Sequence, residues 1–357
     1  MTATDVSSPF VDDVLTALRE RDLAPFDAAG DRLVERFERA PRSEREAVVV
    51  GLAPALGDAP LPYGARLGQH VGRMLITDGD VTPVLGALVE RACQVMESTQ
   101  RFAALHRELL GDEPDLPWTD EDHQRLLRAG AASRVDDLDE LVLSWRAAPM
   151  VVQVVLILSQ RGDVRRALTQ RDRLMAAAVA TADTLHGFCP DLIGLLRILD
   201  DETLVVLHRA TGAAFCVTIS GIATNFQLHT LLAAHVVPLL PAPRRGLLRR
   251  RDTSVLPDVP TPEMTAAADG SGPWYPDGGM VGVVTLIDGN GKWILHELRP
   301  DTIPLVDGVR VVVLDPLLGG RAWDVGRHYP LLRATVDVVP LPADEARSWL
   351  SRVAPAS

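Results

Sequence analysis

The residues best placed to do chemistry lie in 219-ISGIATNFQLHTLLAAHVV-237, where a β-type run stops at Gly221 and an apolar helix opens. Asn225 and His229 are four positions apart, so a helix puts them on one face. In a site, the helix N-terminus behind Gly221 would present polar groups to a ligand or an anion, with His229 as the acid–base group. In a purely structural role, Asn225 caps the helix and His229 makes one buried hydrogen bond. A histidine in so apolar a helix favours the structural role. Asn225, His229 and the more distant His328 remain the catalytic candidates. His235, six positions beyond His229, points elsewhere, so the helix carries no metal-binding pair.

Other chemistries fit less well. His208, Cys216, His229 and His296 could meet on neighbouring strands, but a hairpin turning at Thr211–Gly212 sends His208 and Cys216 to opposite faces. The acidic runs 136-DDLDE-140 and 200-DDE-202 lack the spacing of the aspartate-rich metal sites in all-helical prenyl-diphosphate enzymes. They read as charge complementing helix N-termini. Ser220 lies outside any Gly-x-Ser-x-Gly elbow, and Gly289 and Gly291 lack the third glycine of a dinucleotide loop. His296–Glu297 has no second histidine four residues on. Neither a metal nor a cofactor is expected.

Binding chemistry is better represented. Trp274, Tyr275, Arg321, Trp323, Arg327 and Tyr329 stand in two loop-rich stretches, 274-WYPDGG-279 and 321-RAWDVGRHYP-330. Aromatic and arginine side chains in loops are the usual anchors of a binding surface. The run 244-RRGLLRRR-251 could hold a phosphate or an acidic partner, or lie against the chain's own acidic half.

These residues need elements to position them, and the 357-residue chain divides into two patterns. Up to about residue 200 it reads as helix after helix. Pro9 follows a capping Ser8, and Thr82 and Pro83 open a helix that Gly111 stops. 119-TDED-122 is a cap with acids in the first turn. A helix marked by Leu138, Leu141, Val142 and Trp145 is expected to close at Pro149. The run 150–158, apolar on every side, reads as a central helix or a buried strand, with helix favoured, and is too short to cross a bilayer. Asp163 to His186 reads as one further helix.

From residue 201 the periodicity becomes that of strands. Two hairpins are expected, 203–220 and 281–298, then strands at Val309–Leu314 and Ala334–Val339 and a terminal helix at Ala343–Val353. Short connections make the sheet mainly antiparallel. Residues 238–279, rich in proline and arginine, read as a long loop.

Composition sets outer bounds. The formal charge of −12 sits wholly in the first 202 residues, which weighs against nucleic acid as a partner. Three scattered cysteines and a polar stretch from Met1 to Ser8 fit a reducing cytoplasm without a secretory signal. Lys292, the single lysine against 35 arginines, leaves little room for Schiff-base chemistry.

The expectation is an α+β chain: an acidic helical bundle over 1–200, then a small, mainly antiparallel α+β domain over 201–357. The leading functional expectation is a cytoplasmic, non-catalytic accessory or regulatory protein that binds a protein or small-molecule partner. The alternative is an enzyme with its site in a groove between the two parts, using histidine for proton transfer and arginine to anchor an anionic substrate.

Overall fold

The computed structural model describes residues 9–241, 244–245, 250–251, 259–274, 279–281, 284–316 and 322–356. The chain forms two compact units, Met1–Leu196 and Arg197–Ser357.

The described part of the first unit is helical throughout: α1 (Pro9–Glu20), α2 (Leu23–Arg39), α3 (Arg42–Asp58), α4 (Leu61–Leu75), α5 (Thr82–Leu110), α6 (Asp120–Arg128), α7 (Leu138–Leu158), α8 (Gly162–Ala167), α9 (Arg171–Ala180) and α10 (Cys189–Leu196). Its core is one continuous cluster in which Phe26, Leu52, Leu67, Met96, Phe102 and Trp145 are fully buried. α5 stops where Gly111 turns left-handed at φ 81°. At the start of α6, Thr119 and Asp122 form a reciprocal capping box.

Two expectations need correction. Pro149 does not close a helix; α7 runs through it for 21 residues. Proline removes one main-chain hydrogen bond, but buried side chains on both flanks, Trp145 and Ala148 before it and Val151 and Val152 after, hold the helix together. By length and composition α7 could cross a membrane, yet 56% of its most apolar window is packed inside the unit. Nor is Asp163–His186 a single helix. Leu168 is extended at ψ 100°, and the Thr181 hydroxyl bonds back to the Ala177 carbonyl where α9 ends.

The second unit is a sheet with helices on both faces. Its strands are β1 (Glu202–His208), β2 (Ala213–Ser220), β3 (Arg244–Arg245), β4 (Arg250–Arg251), β5 (Gly279–Val281), β6 (Thr285–Asp288), β7 (Leu305–Val306), β8 (Val309–Asp315), β9 (Ala322–Asp324) and β10 (Thr335–Pro340). The main sheet has the order β10-β2-β1-β8-β6, with β7 beside β8. All its pairings are antiparallel except β1 with β8.

Alternation along the strands feeds two cores. Leu204, Val206, Phe215, Val217 and Ile219 meet Leu228, Leu231 and Leu232 of α11 (Asn225–His235), and α12 (Pro262–Asp269) adds Ala267 and Ala268. Val205, Leu207, Val311 and Val313 meet Ala346 and the half-buried Trp349 of α13 (Ala343–Arg352) on the other face.

The first hairpin pairs His208 with Ala213 and Val206 with Phe215, two residues from the expected register. Arg209–Gly212 form the turn, in which the His208 ring meets the Thr211 hydroxyl at 2.8 Å. A two-residue slip preserves the faces, so His208 and Cys216 do lie on opposite sides. The second hairpin is shorter than expected. β6 turns through Asp288–Gly291, pairs again only at Ile287 and Trp293, and the chain then leaves the sheet. Exposed Lys292 sits in that turn, its main-chain N–H donating to Asp288 Oδ1 at 2.9 Å.

The stretch expected as an unbroken loop contains α12. Thr261 caps it, Pro262 occupies its first position and Gly270 stops it at φ 92°. Of the arginine run 244–251, only the β3–β4 pairing is described; the arginine side chains fall outside the described residues.

Candidate functional site

α11 begins one residue after the true cap. The Thr224 hydroxyl accepts the Gln227 N–H at 3.3 Å, so Asn225 is the first helical residue rather than the cap. Segment 295–298 satisfies the next donors. Asn225 N–H donates to the Leu298 carbonyl at 2.8 Å, and Phe226 N–H to the His296 carbonyl at 3.1 Å. The Asn225 side chain adds a bond from Nδ2 to the Leu295 carbonyl at 2.9 Å. The N–H groups that would cradle an anion are therefore engaged by the chain itself. Before the helix, Gly221 holds φ 70°, and a Cβ there would lie 1.9 Å from the Arg333 carbonyl oxygen. Only glycine fits that approach.

His229, one turn further on, is wholly buried and meets His296, Nδ1 to Nε2, at 2.9 Å. Its own Nε2 is shut from solvent and has no hydrogen-bond partner. The tautomer with the proton on Nδ1 leaves only a bare lone pair unpaired, a smaller penalty than an orphaned N–H. Burial, and then the neighbouring His296, push the His229 pKa down to about 3. His229 is a neutral imidazole across the physiological range, far from the pKa of an effective general base.

Three further rings complete the group. Trp323 lies 4.9 Å from His229, 5.4 Å from His296 and 5.4 Å from Phe226, and Phe226 stacks on His296 at 5.2 Å and 25°. Phe226, His296 and Trp323 are half-buried. Beside them Trp293, Leu295 and Leu298 are 54%, 54% and 44% exposed, although their backbone is tied to β6 and to the start of α11. These three exposed apolar residues, with exposed Glu297 between Leu295 and Leu298, thus stand on a backbone fixed at both ends.

The other candidates lie elsewhere. Arg327 is buried, and its guanidinium donates to the carbonyls of Ala267 at 2.7 Å, Gly272 at 3.3 Å, Pro273 at 3.4 Å and Pro330 at 3.0 Å. It braces α12 and the following loop. Trp274 donates from Nε1 to the Arg327 carbonyl at 2.6 Å and is 40% exposed. Tyr329 is buried, with exposed His328 edge-on to it at 4.5 Å. Tyr275 and Arg321 lie outside the described residues. Of the expected residues, Asn225, His229 and Trp323 come together; Trp274, Arg327, His328 and Tyr329 form a second group.

Sequence reasoning missed Phe226, Trp293, Leu295 and Leu298, and it weighed His296 only as a metal ligand. The available signal was 293-WILHEL-298, in which four large apolar residues surround His296 and Glu297, and which the hairpin pattern assigned to a strand. Among the described residues, no three His, Cys, Asp or Glu side chains gather as a ligand set for a metal. No protein-family model, curated protein or solved structure matches the chain.

Proposed function

We propose that this chain is a non-catalytic accessory or regulatory protein of the cytoplasm. It recognises a protein partner through the apolar surface that segment 293–298 forms over the start of α11. The observation that carries this reading is the exposure of Trp293, Leu295 and Leu298 on a backbone tied down at both ends. Large apolar side chains held rigidly in water are a standing cost that a partner relieves, and their rigidity lowers the entropy lost on binding. Phe226, His296 and Trp323 supply the aromatic content typical of interface centres. A neutral, buried His229 and a carbonyl-bound Arg327 support binding over proton transfer to an anchored anion.

The test is the double variant Leu295→Asp/Leu298→Asp. A partner recovered from the source cells and then purified should bind it at least about tenfold more weakly, with unchanged melting of the variant. His229→Gln should retain partner affinity. A purified protein that converts a metabolite unaided, and stops on a single histidine substitution, would overturn the proposal.

A further inference from the structure

The main sheet ends at β10, which pairs with β2 on one side only. Alternation along the strand shows what its outer edge offers. Just past β10, the Leu341 N–H donates to the Ala214 carbonyl at 2.9 Å, so the odd-numbered residues of this run bond to β2. The even-numbered Val336 and Val338 therefore turn their N–H and carbonyl groups away from the sheet. Ala334 has the same parity and the same direction. Its N–H leaves the sheet and donates to the Asp269 carbonyl at the end of α12, at 2.9 Å. α12 thus covers the edge up to Ala334, and Pro340 has no N–H to offer at the far end. Between them, no other strand takes up the edge among the described residues.

This stretch is accessible. Thr335, Asp337 and Val339 are exposed on one face, Val339 to 54%, and Val336 and Val338 are half-buried on the other. Asp337 stands at the centre and makes no ion pair with a described residue. Outward N–H and carbonyl groups on a strand edge are a template for another extended chain. A second copy fits that template poorly. Antiparallel two-fold pairing between Val336 and Val338 sets the two Asp337 carboxylates directly opposite each other, where like charges repel. Moving the pairing toward either end meets Pro340 or the bond from Ala334 to Asp269.

We infer that the β10 edge docks an extended segment of another protein, one with a lysine or arginine between β-branched residues. The segment lengthens the sheet by one strand, bonding to Val336 and Val338, and its basic residue lies opposite Asp337. Charge decides the occupant: the carboxylate that receives a basic strand repels a second copy. This edge is separate from segment 293–298, which adjoins β6 at the other end of the sheet.

The acetylated, amidated peptides Thr-Val-Lys-Val-Thr and Thr-Val-Asp-Val-Thr test the inference against the whole protein in an amide-resolved NMR titration. The lysine peptide should shift the Val336 and Val338 amide signals and slow their exchange with solvent. The aspartate peptide should bind at least about tenfold more weakly. Asp337→Lys, a change at an exposed position, should invert that order. Equal affinity for the two peptides, or an order unchanged by Asp337→Lys, would overturn the inference. So would an absence of shifts at Val336 and Val338 up to about 5 mM lysine peptide. Concentration-dependent shifts of the same amides in the protein alone would place a second copy on the edge and overturn it too.

Discussion

His229 shows how one side chain links burial to pH. Its folded pKa, about 3, lies below the ordinary value of 6.5 because burial disfavours the cation. Between those values the unfolded chain takes up a proton that the folded protein refuses. The stabilisation is complete above about pH 6.5 and is lost as pH falls toward 3. Burial also lowers the pKa of His70 and His208, so all three act in the same direction. Urea unfolding from about pH 7 down to pH 4 should therefore show falling stability. His229→Gln should flatten that slope by up to about 1.4 kcal/mol per pH unit, and parallel curves for the two proteins would contradict the assignment. A buried, hydrogen-bonded His229 could be read from the sequence because a histidine in a largely apolar helix is more often structural. His296 was weighed beside it only as part of a metal set; that it is the hydrogen-bond partner was not legible, since it reaches His229 from 67 residues away across a chain that departs from its sheet.

At the scale of elements, the legible features were those whose signals are local. Thr119–Asp122 and Gly111 each act on their own turn of chain. The same grammar was present in 261-TPEM-264 and went unused because the surrounding prolines and arginines masked it. What local signals could not show is the work of arginine on distant main-chain carbonyls. Arg91 donates to the carbonyls of Leu56, Gly57 and Ala59 at the C-terminal end of α3, and Arg165 to those of Ser159 and Gln160 after α7. Arg327 does the same for α12. Each satisfies acceptors that a helix end or loop would otherwise bury unpaired. Pro149 is the opposite case, a local signal overridden by packing. Pro149→Ala restores a main-chain donor inside α7 and should raise stability by up to about 3 kcal/mol in chemical denaturation. A loss of stability would mean that the ring itself fills space no alanine can.

On the scale of the molecule, each unit has its own hydrophobic core: one cluster within Met1–Leu196, and two within Arg197–Ser357 on either face of the sheet. A chain ending at Leu196 and one beginning at Arg197 should each melt cooperatively with native near-ultraviolet dichroism. Failure of either piece to do so would show that its core is incomplete alone. The change from helical to strand periodicity made the two-part α+β character readable. The tying of 293–298 to α11 was not, because it depends on carbonyls that any sequence possesses.

The turn at Asp288–Lys292 has a practical consequence. Lys292 carries the chain's only side-chain amine, and it is exposed four residues before His296. Among side chains, an amine-reactive dye will therefore attach at one defined position beside the Trp293–Leu298 segment, in addition to the α-amino group. With the α-amine blocked first by reaction near neutral pH, the emission or anisotropy of a dye on Lys292 would register anything that settles there, without an engineered cysteine.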